Sequence, residues 1–114
     1  MGIYTCNHSG IVIKNCRIVG YTGGIELIYS SSSLISNNTL WNNNGGISLF
    51  GSIGDEVSGN EVHSNTDFGI FIISSPSIVE HNHFIQMMDM VYLLHLQTIA
   101  QSSIIQYQIM NWLV

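Results

Sequence analysis

A Gly-Ile pair recurs at Gly2-Ile3, Gly24-Ile25, Gly46-Ile47 and Gly69-Ile70, at intervals of 22, 22 and 23 residues. A unit this short cannot bury an apolar face of its own, so it gains stability only by stacking on copies of itself. The interval therefore confines the chain to a solenoid. The repeat holds well beyond the dipeptide. Two residues after the isoleucines stand Thr5, Leu27, Leu49 and Ile72, and between these columns run Tyr4, Glu26, Ser48 and Phe71. Apolar and variable positions alternate with a period of two, the pattern of a strand that turns one face inward.

A Ser/Gly-rich stretch follows, seen at Ser30 to Ser33 and at Ser74-Ser75-Pro76-Ser77, and reads as a turn. A second apolar column is formed by Ile13, Ile35, Val57 and Val79. Three residues later come Cys16, Asn38, Asn60 and Asn82, and two further on Ile18, Leu40, Val62 and Phe84. These columns predict three short strands per coil, near residues 2 to 6, 11 to 14 and 17 to 19, with equivalents in coils 24–45, 46–68 and 69–86. Stacked coils build parallel sheets whose rungs lie about 4.8 Å apart. The corners between sheets demand left-handed backbone, which Asn and Gly adopt at least cost. The column Cys16, Asn38, Asn60, Asn82 is expected to form a structural side-chain ladder, with Cys16 as its small filler.

The segments Gly24-Ile25-Glu26-Leu27, Ile35-Ser36-Asn37-Asn38-Thr39-Leu40 and Gly46-Ile47-Ser48-Leu49 resemble the right-handed parallel β-helix repeats of the NosD type. The resemblance covers about residues 2–86 and implies an all-β fold, a right-handed parallel β-helix of about four coils. Similar repeats occur in copper-site accessory proteins, polysaccharide lyases, epimerases and surface proteins, so the resemblance carries a fold and leaves the activity open. It also implies a periplasmic or extracellular setting, although Met1 runs straight into the first repeat without the charged segment and apolar core of a signal peptide.

Residues 87–114 depart from the repeat: glycine disappears, and methionine stands at 87, 88 and 90. The genetic code supplies a reason. When each codon is regrouped from the last base of one and the first two of the next, single-codon methionine forces the outcome. An Asn or Asp replaces Met87, followed by aspartate, glycine, Tyr or His, glycine and an aliphatic residue in place of Tyr92. That string repeats Asn65-Thr66-Asp67-Phe68-Gly69-Ile70. The expectation is a one-base frame shift between about residues 84 and 87, with further coils in the neighbouring frame; the alternative is a divergent cap on the last coil. With Gly2 opening a coil abruptly, the chain reads as an internal fragment whose bare end rungs favour end-to-end self-association.

With 46% hydrophobic and 8% charged residues the chain has material for one core. Two basic residues, Lys14 and Arg17, against seven acidic ones give a net charge of −5, which leaves no footprint for a nucleic-acid backbone. No run of about 20 apolar residues is present to span a bilayer. Cys6 and Cys16 lie in different columns and define no redox compartment.

Stacking the repeats places Arg17, Thr39, Glu61 and His83 in one outward column, with Val19, Trp41 and His63 two residues away. Trp41, Glu61, His63 and His83 are thus the candidate ligand-binding residues: an aromatic platform beside hydrogen-bonding groups. The carboxylates Glu26, Asp55, Glu56, Glu61, Asp67, Glu80 and Asp89 do not gather around a basic or tyrosine catalyst, and Asp55 and Glu56, being adjacent, are expected to point apart on a strand. No catalytic residue, resident metal or cofactor is assigned. The preferred reading is a non-catalytic surface or periplasmic module that binds polysaccharide or a protein partner. The alternative is a fragment of a polysaccharide lyase or epimerase.

Overall fold

The computed structural model describes residues 1–84 and the backbone of residues 91–93. Alternating apolar positions in runs too short for a helix make strands, and each coil holds three. The first coil carries β1 (Ile3–Cys6), β2 (Val12–Lys14) and β3 (Arg17–Val19). The second carries β4 (Gly23–Ile28), β5 (Leu34–Ser36) and β6 (Thr39–Trp41), and the third β7 (Gly45–Phe50), β8 (Glu56–Ser58) and β9 (Glu61–His63). The fourth carries β10 (Phe68–Ile73), β11 (Ile78–Glu80) and β12 (His83–Phe84).

Every strand pairs in parallel with its counterpart one coil away. The first sheet runs β1-β4-β7-β10, the second β2-β5-β8-β11 and the third β3-β6-β9-β12. The registers follow the repeat columns, with Ile3 opposite Ile25, Ile25 opposite Ile47 and Ile47 opposite Ile70. A further strand, β13 (Val91–Leu93), pairs with β10 on the first sheet and sets Val91 opposite Ile70, a step of 21 residues. The expectations of a frame shift or a cap in residues 87–114 otherwise lie outside the described residues, as do residues 85–86 at the end of the fourth coil.

The inward columns fill the interior. Ile25, Leu27, Ile47, Leu49, Ile70 and Ile72 from the first sheet meet Ile35, Val57 and Val79 from the second and Leu40, Val62 and Phe84 from the third. All are at most 1% exposed. Each such side chain contributes about 1.5–3 kcal/mol through removal from water. Thr5 is the polar member of an otherwise aliphatic column, and its Oγ1 lies 2.7 Å from Ser30 Oγ. Glycine at 46 is steric in origin: a Cβ there would run into the Gly69 carbonyl oxygen and stand 3.1 Å from Val62.

Each full coil turns four corners, and most are built alike. The exceptions are the first-coil corners at His8 and Tyr21, which are exposed, and the one before Ser77, where Pro76 takes the place of a left-handed residue. A left-handed residue comes first, in the columns Asn7/Tyr29/Gly51/Ser74, Gly10/Ser32/Gly54, Asn15/Asn37/Gly59/His81 and Gly20/Asn42/Ser64. A side chain that turns inward comes next, forming the columns Ser30/Ser52/Ser75, Ser33/Asp55/Ser77, Asn38/Asn60/Asn82 and Asn43/Asn65, all buried. At corners the strand ladder is interrupted, so backbone groups there need other partners. The inward side chains provide them. Asn38 donates its backbone N–H and its side-chain amide to Asn60 Oδ1, each at 3.0 Å, and Asn60 does the same to Asn82 Oδ1 at 3.1 and 2.9 Å. The side-chain amides also donate to the carbonyls of Ile13, Ile35 and Val57, 25 residues before each Asn, at 2.9–3.0 Å. Half-buried Cys16 heads this column: its backbone N–H donates to Asn38 Oδ1 at 3.0 Å and its thiol to the Lys14 carbonyl at 3.3 Å.

The second asparagine ladder, Asn43 and Asn65, has the same geometry, donating to the Ile18 and Leu40 carbonyls at 3.0 and 3.2 Å. The Ser33/Asp55/Ser77 corner differs. Ser33 N–H donates to Asp55 Oδ1 at 2.8 Å, yet Asp55 Oδ2 and Ser77 Oγ are buried without a hydrogen-bond partner. Burial lifts the Asp55 carboxyl from 3.8 to about 6, against the lowering effect of its hydrogen bonds from Ser33. Asp55 therefore lies in a corner, and only Glu56 belongs to a strand.

Candidate functional site

The third sheet positions the candidate residues. Its strands are three residues or fewer and bury the central column of Ile18, Leu40, Val62 and Phe84, which turns the flanking residues to the outside. One outer column is Arg17, Thr39, Glu61 and His83, and the other Val19, Trp41 and His63, each matched rung to rung.

These columns produce a stack along the solenoid axis. The Trp41 and His63 rings are nearly parallel, with an interplanar angle of 7° and centroids 5.7 Å apart. The Arg17 guanidinium carbon lies 5.2 Å from the Trp41 ring centroid. Because β6 lies between β3 and β9, Arg17 approaches the indole from the rung before and His63 from the rung after. The indole is thus flanked on one face by Arg17 and on the other by His63, which leaves its edge to meet a ligand. Cation–π attraction of this kind contributes about 0.5–2 kcal/mol and holds the guanidinium against the indole.

Glu61 and His63 lie on the same side of β9. His63 Nε2 stands 3.7 Å from Glu61 Oε1, and the ring's Nδ1 is 3.2 Å from Ser64 Oγ. Glu61 is 45% exposed and His63 22%, so the carboxylate remains open to a ligand while the imidazole is largely held. His83 is the exposed register neighbour of Glu61 on β12. The structure thus brings Trp41, Glu61, His63 and His83 onto one face and adds Arg17 to them. His81 does not join: it occupies a left-handed corner, with Nε2 3.9 Å from Glu80 Oε2.

Chemically this face can exchange hydrogen bonds. It offers a guanidinium, an indole edge, two imidazoles and a carboxylate, all planar groups suited to paired polar contacts. Among the described residues, no three His, Cys, Asp or Glu side chains gather closely enough to hold a metal ion. The contact of Arg17 with Trp41 was legible only in part, since the alignment of columns places them one rung and two residues apart, a diagonal within reach of long side chains. The family model describing a right handed beta helix region matches residues 1–106, so the match continues from the described coils into the tail. Comparison with curated proteins and with solved structures gave no match. With four stacked coils, three parallel sheets and this match along most of its length, the chain belongs to the right-handed β-helix family.

Proposed function

We propose that the chain is a non-catalytic, NosD-like module that binds polysaccharide along the outer face of its third sheet. The observation that supports this reading is the Arg17–Trp41–His63 stack with Glu61 beside it. A parallel sheet repeats its side chains about every 4.8 Å along the solenoid. Such a face presents planar polar groups in a row, which suits a linear ligand carrying many hydroxyls. Because the stack already fixes the rotamers of Trp41 and His63, little side-chain freedom is lost when a ligand arrives.

The enzyme reading requires an acid or base set against a second catalytic group. Glu61 and His63 make one contact, while Glu26, Glu56 and Glu80 sit on the other two sheets. The test is titration of the chain against a panel of soluble polysaccharides by calorimetry, with Trp41→Ala and Glu61→Gln as variants. The expected result is saturable binding to at least one member, weakened about tenfold or more in each variant, equivalent to ~1.4 kcal/mol. Undiminished binding in both variants, or shortening of the polymer that depends on Glu61 or His83, refutes the binding-module reading.

A further inference from the structure

The outer face of the first sheet carries a concavity, remote in character from the polar face of the third. It is a groove of roughly 500 Å³ that crosses β4, β7 and β10. Residues with little or no side chain, Gly23, Gly45 and Ser48, line it, and the Met1 thioether lies across Gly23. The walls are aromatic. Phe68 lies across Gly45, where a Cβ would collide with the ring, and packs against Phe71 with centroids 5.3 Å apart and a tilt of 42°. Phe50 lines the same groove, and its ring is held edge-on to Tyr29 at 5.7 Å.

Charge at this groove is carried by the Glu26 side chain and by Met1, a lining residue that bears the α-amino group. Among the described residues, Glu26 is the only charged side chain that lines it, and it sits in the outward column next to Ser48. The chain's two basic residues, Lys14 on β2 and Arg17 on β3, belong to the other two sheets. A carboxylate in an apolar aromatic concavity is poorly matched to water and well matched to a positive group. The electron-rich faces of phenylalanine rings attract cations as well. The volume falls within the roughly 300–1,000 Å³ range of small-molecule sites, which are mostly apolar with a few fixed polar groups. A net charge of −5 adds a long-range field that favours approach of a cation and disfavours an anion.

We propose that this groove is a binding site for a small organic cation, an ammonium or guanidinium group carried on an apolar or aromatic body, with Glu26 as its counter-ion and Phe50, Phe68 and Phe71 as its walls. The Ser48 hydroxyl is a neutral hydrogen-bonding group lining it. The site shares no residue with the proposed polysaccharide face, so either can fail without the other.

The experiment is nuclear magnetic resonance titration of the chain with three probes of similar size: benzyltrimethylammonium, neutral benzyl alcohol and anionic phenylacetate. The expected result is saturable binding of the cation with shifts centred on Gly45 and Ser48, about tenfold weaker binding of the alcohol and none of phenylacetate. Glu26→Gln is expected to weaken the cation about tenfold, whereas Glu56→Gln, which removes a carboxylate from the second sheet, leaves its affinity unchanged. Equal affinity for alcohol and cation, an unchanged affinity in a folded Glu26→Gln variant, or no saturable binding overturns the assignment. The three probes on the unaltered chain decide the matter even where a variant does not fold.

Discussion

Substituting Asp55 by asparagine tests the ladder chemistry at the corner where the repeat departs from its own rule. At the two asparagine corners the inward side chain donates an amide hydrogen to a carbonyl 25 residues earlier. By the same register the carbonyl 25 residues before Asp55 is that of Ser30, to which a carboxylate oxygen has no hydrogen to give. Oδ2 is accordingly buried without a partner, and Asp55 is 1% exposed. The folded coil thus favours the protonated acid, which lifts the carboxyl from 3.8 to about 6. A folded-state value above the unfolded one means that stability is fully present below about pH 4 and is lost as the pH rises through about 6. At roughly 1.4 kcal/mol per tenfold change in proton affinity, the loss above pH 7 is about 3 kcal/mol.

The asparagine side chain restores the missing donor in the same shape and carries no charge. Asp55→Asn is therefore expected to stabilise the chain by about 3 kcal/mol near pH 7.5 and to change little near pH 4. For a chain of this size that raises the melting temperature by on the order of 10 °C. Thermal unfolding followed by far-ultraviolet circular dichroism at a series of pH values reads both effects. The histidines titrate in the same range, so the measured quantity is the difference between the two proteins at each pH. A difference that is the same at pH 4 and pH 7.5, or a variant less stable than the parent at neutral pH, refutes the assignment of a buried, protonated Asp55.

Asn60→Ala removes the acceptor of two bonds from Asn38 and the donor to Ile35 and Asn82, leaving buried polar groups unpaired. A loss of about 3 kcal/mol or more is expected in urea unfolding. Gly46→Ala forces a methyl group against the Gly69 carbonyl and is expected to cost about 1–3 kcal/mol in the same assay. Gly20→Asn, at a corner where φ is +82° and a Cβ meets nothing within 4 Å, is expected to stay within about 1 kcal/mol, since the matching Asn42 already holds φ of 54°. Leu49→Ala opens a cavity in the completely buried first-sheet column and should cost about 2–5 kcal/mol by thermal melt.

The 22-residue interval, the three strands of each coil and the inward aliphatic columns can all be read from the chain, because they arise from properties that repeat. A residue's partner is its own counterpart one coil away, so Ile25 over Ile47 and Asn38 over Asn60 follow from spacing alone. Legibility ends where the columns cease to repeat. The Asn43/Asn65 ladder spans only two coils, and the Ser33/Asp55/Ser77 column changes residue type at each rung, so neither stands out as a pattern. Asp55 next to Glu56 reads as two strand residues facing apart, whereas the left-handed Gly54 ahead of it rotates Asp55 inward.

The outer faces obey no repeat rule, since water accepts many side chains there and nothing selects one column over another. The four residues Trp41, Glu61, His63 and His83 could be placed on one face from register, because a parallel sheet carries register across unchanged. That Arg17 and His63 flank the indole is a matter of rotamers, set by how long side chains on neighbouring rungs pack. The groove over Gly23 and Gly45 depends in the same way on Phe68 leaning across a bare backbone. Sequence by itself determined the solenoid, because stacking identical units is the only burial open to a 22-residue repeat. Tertiary structure alone decided which unlike side chains touch, because those contacts depend on the three-dimensional packing of residues that no repeat relates.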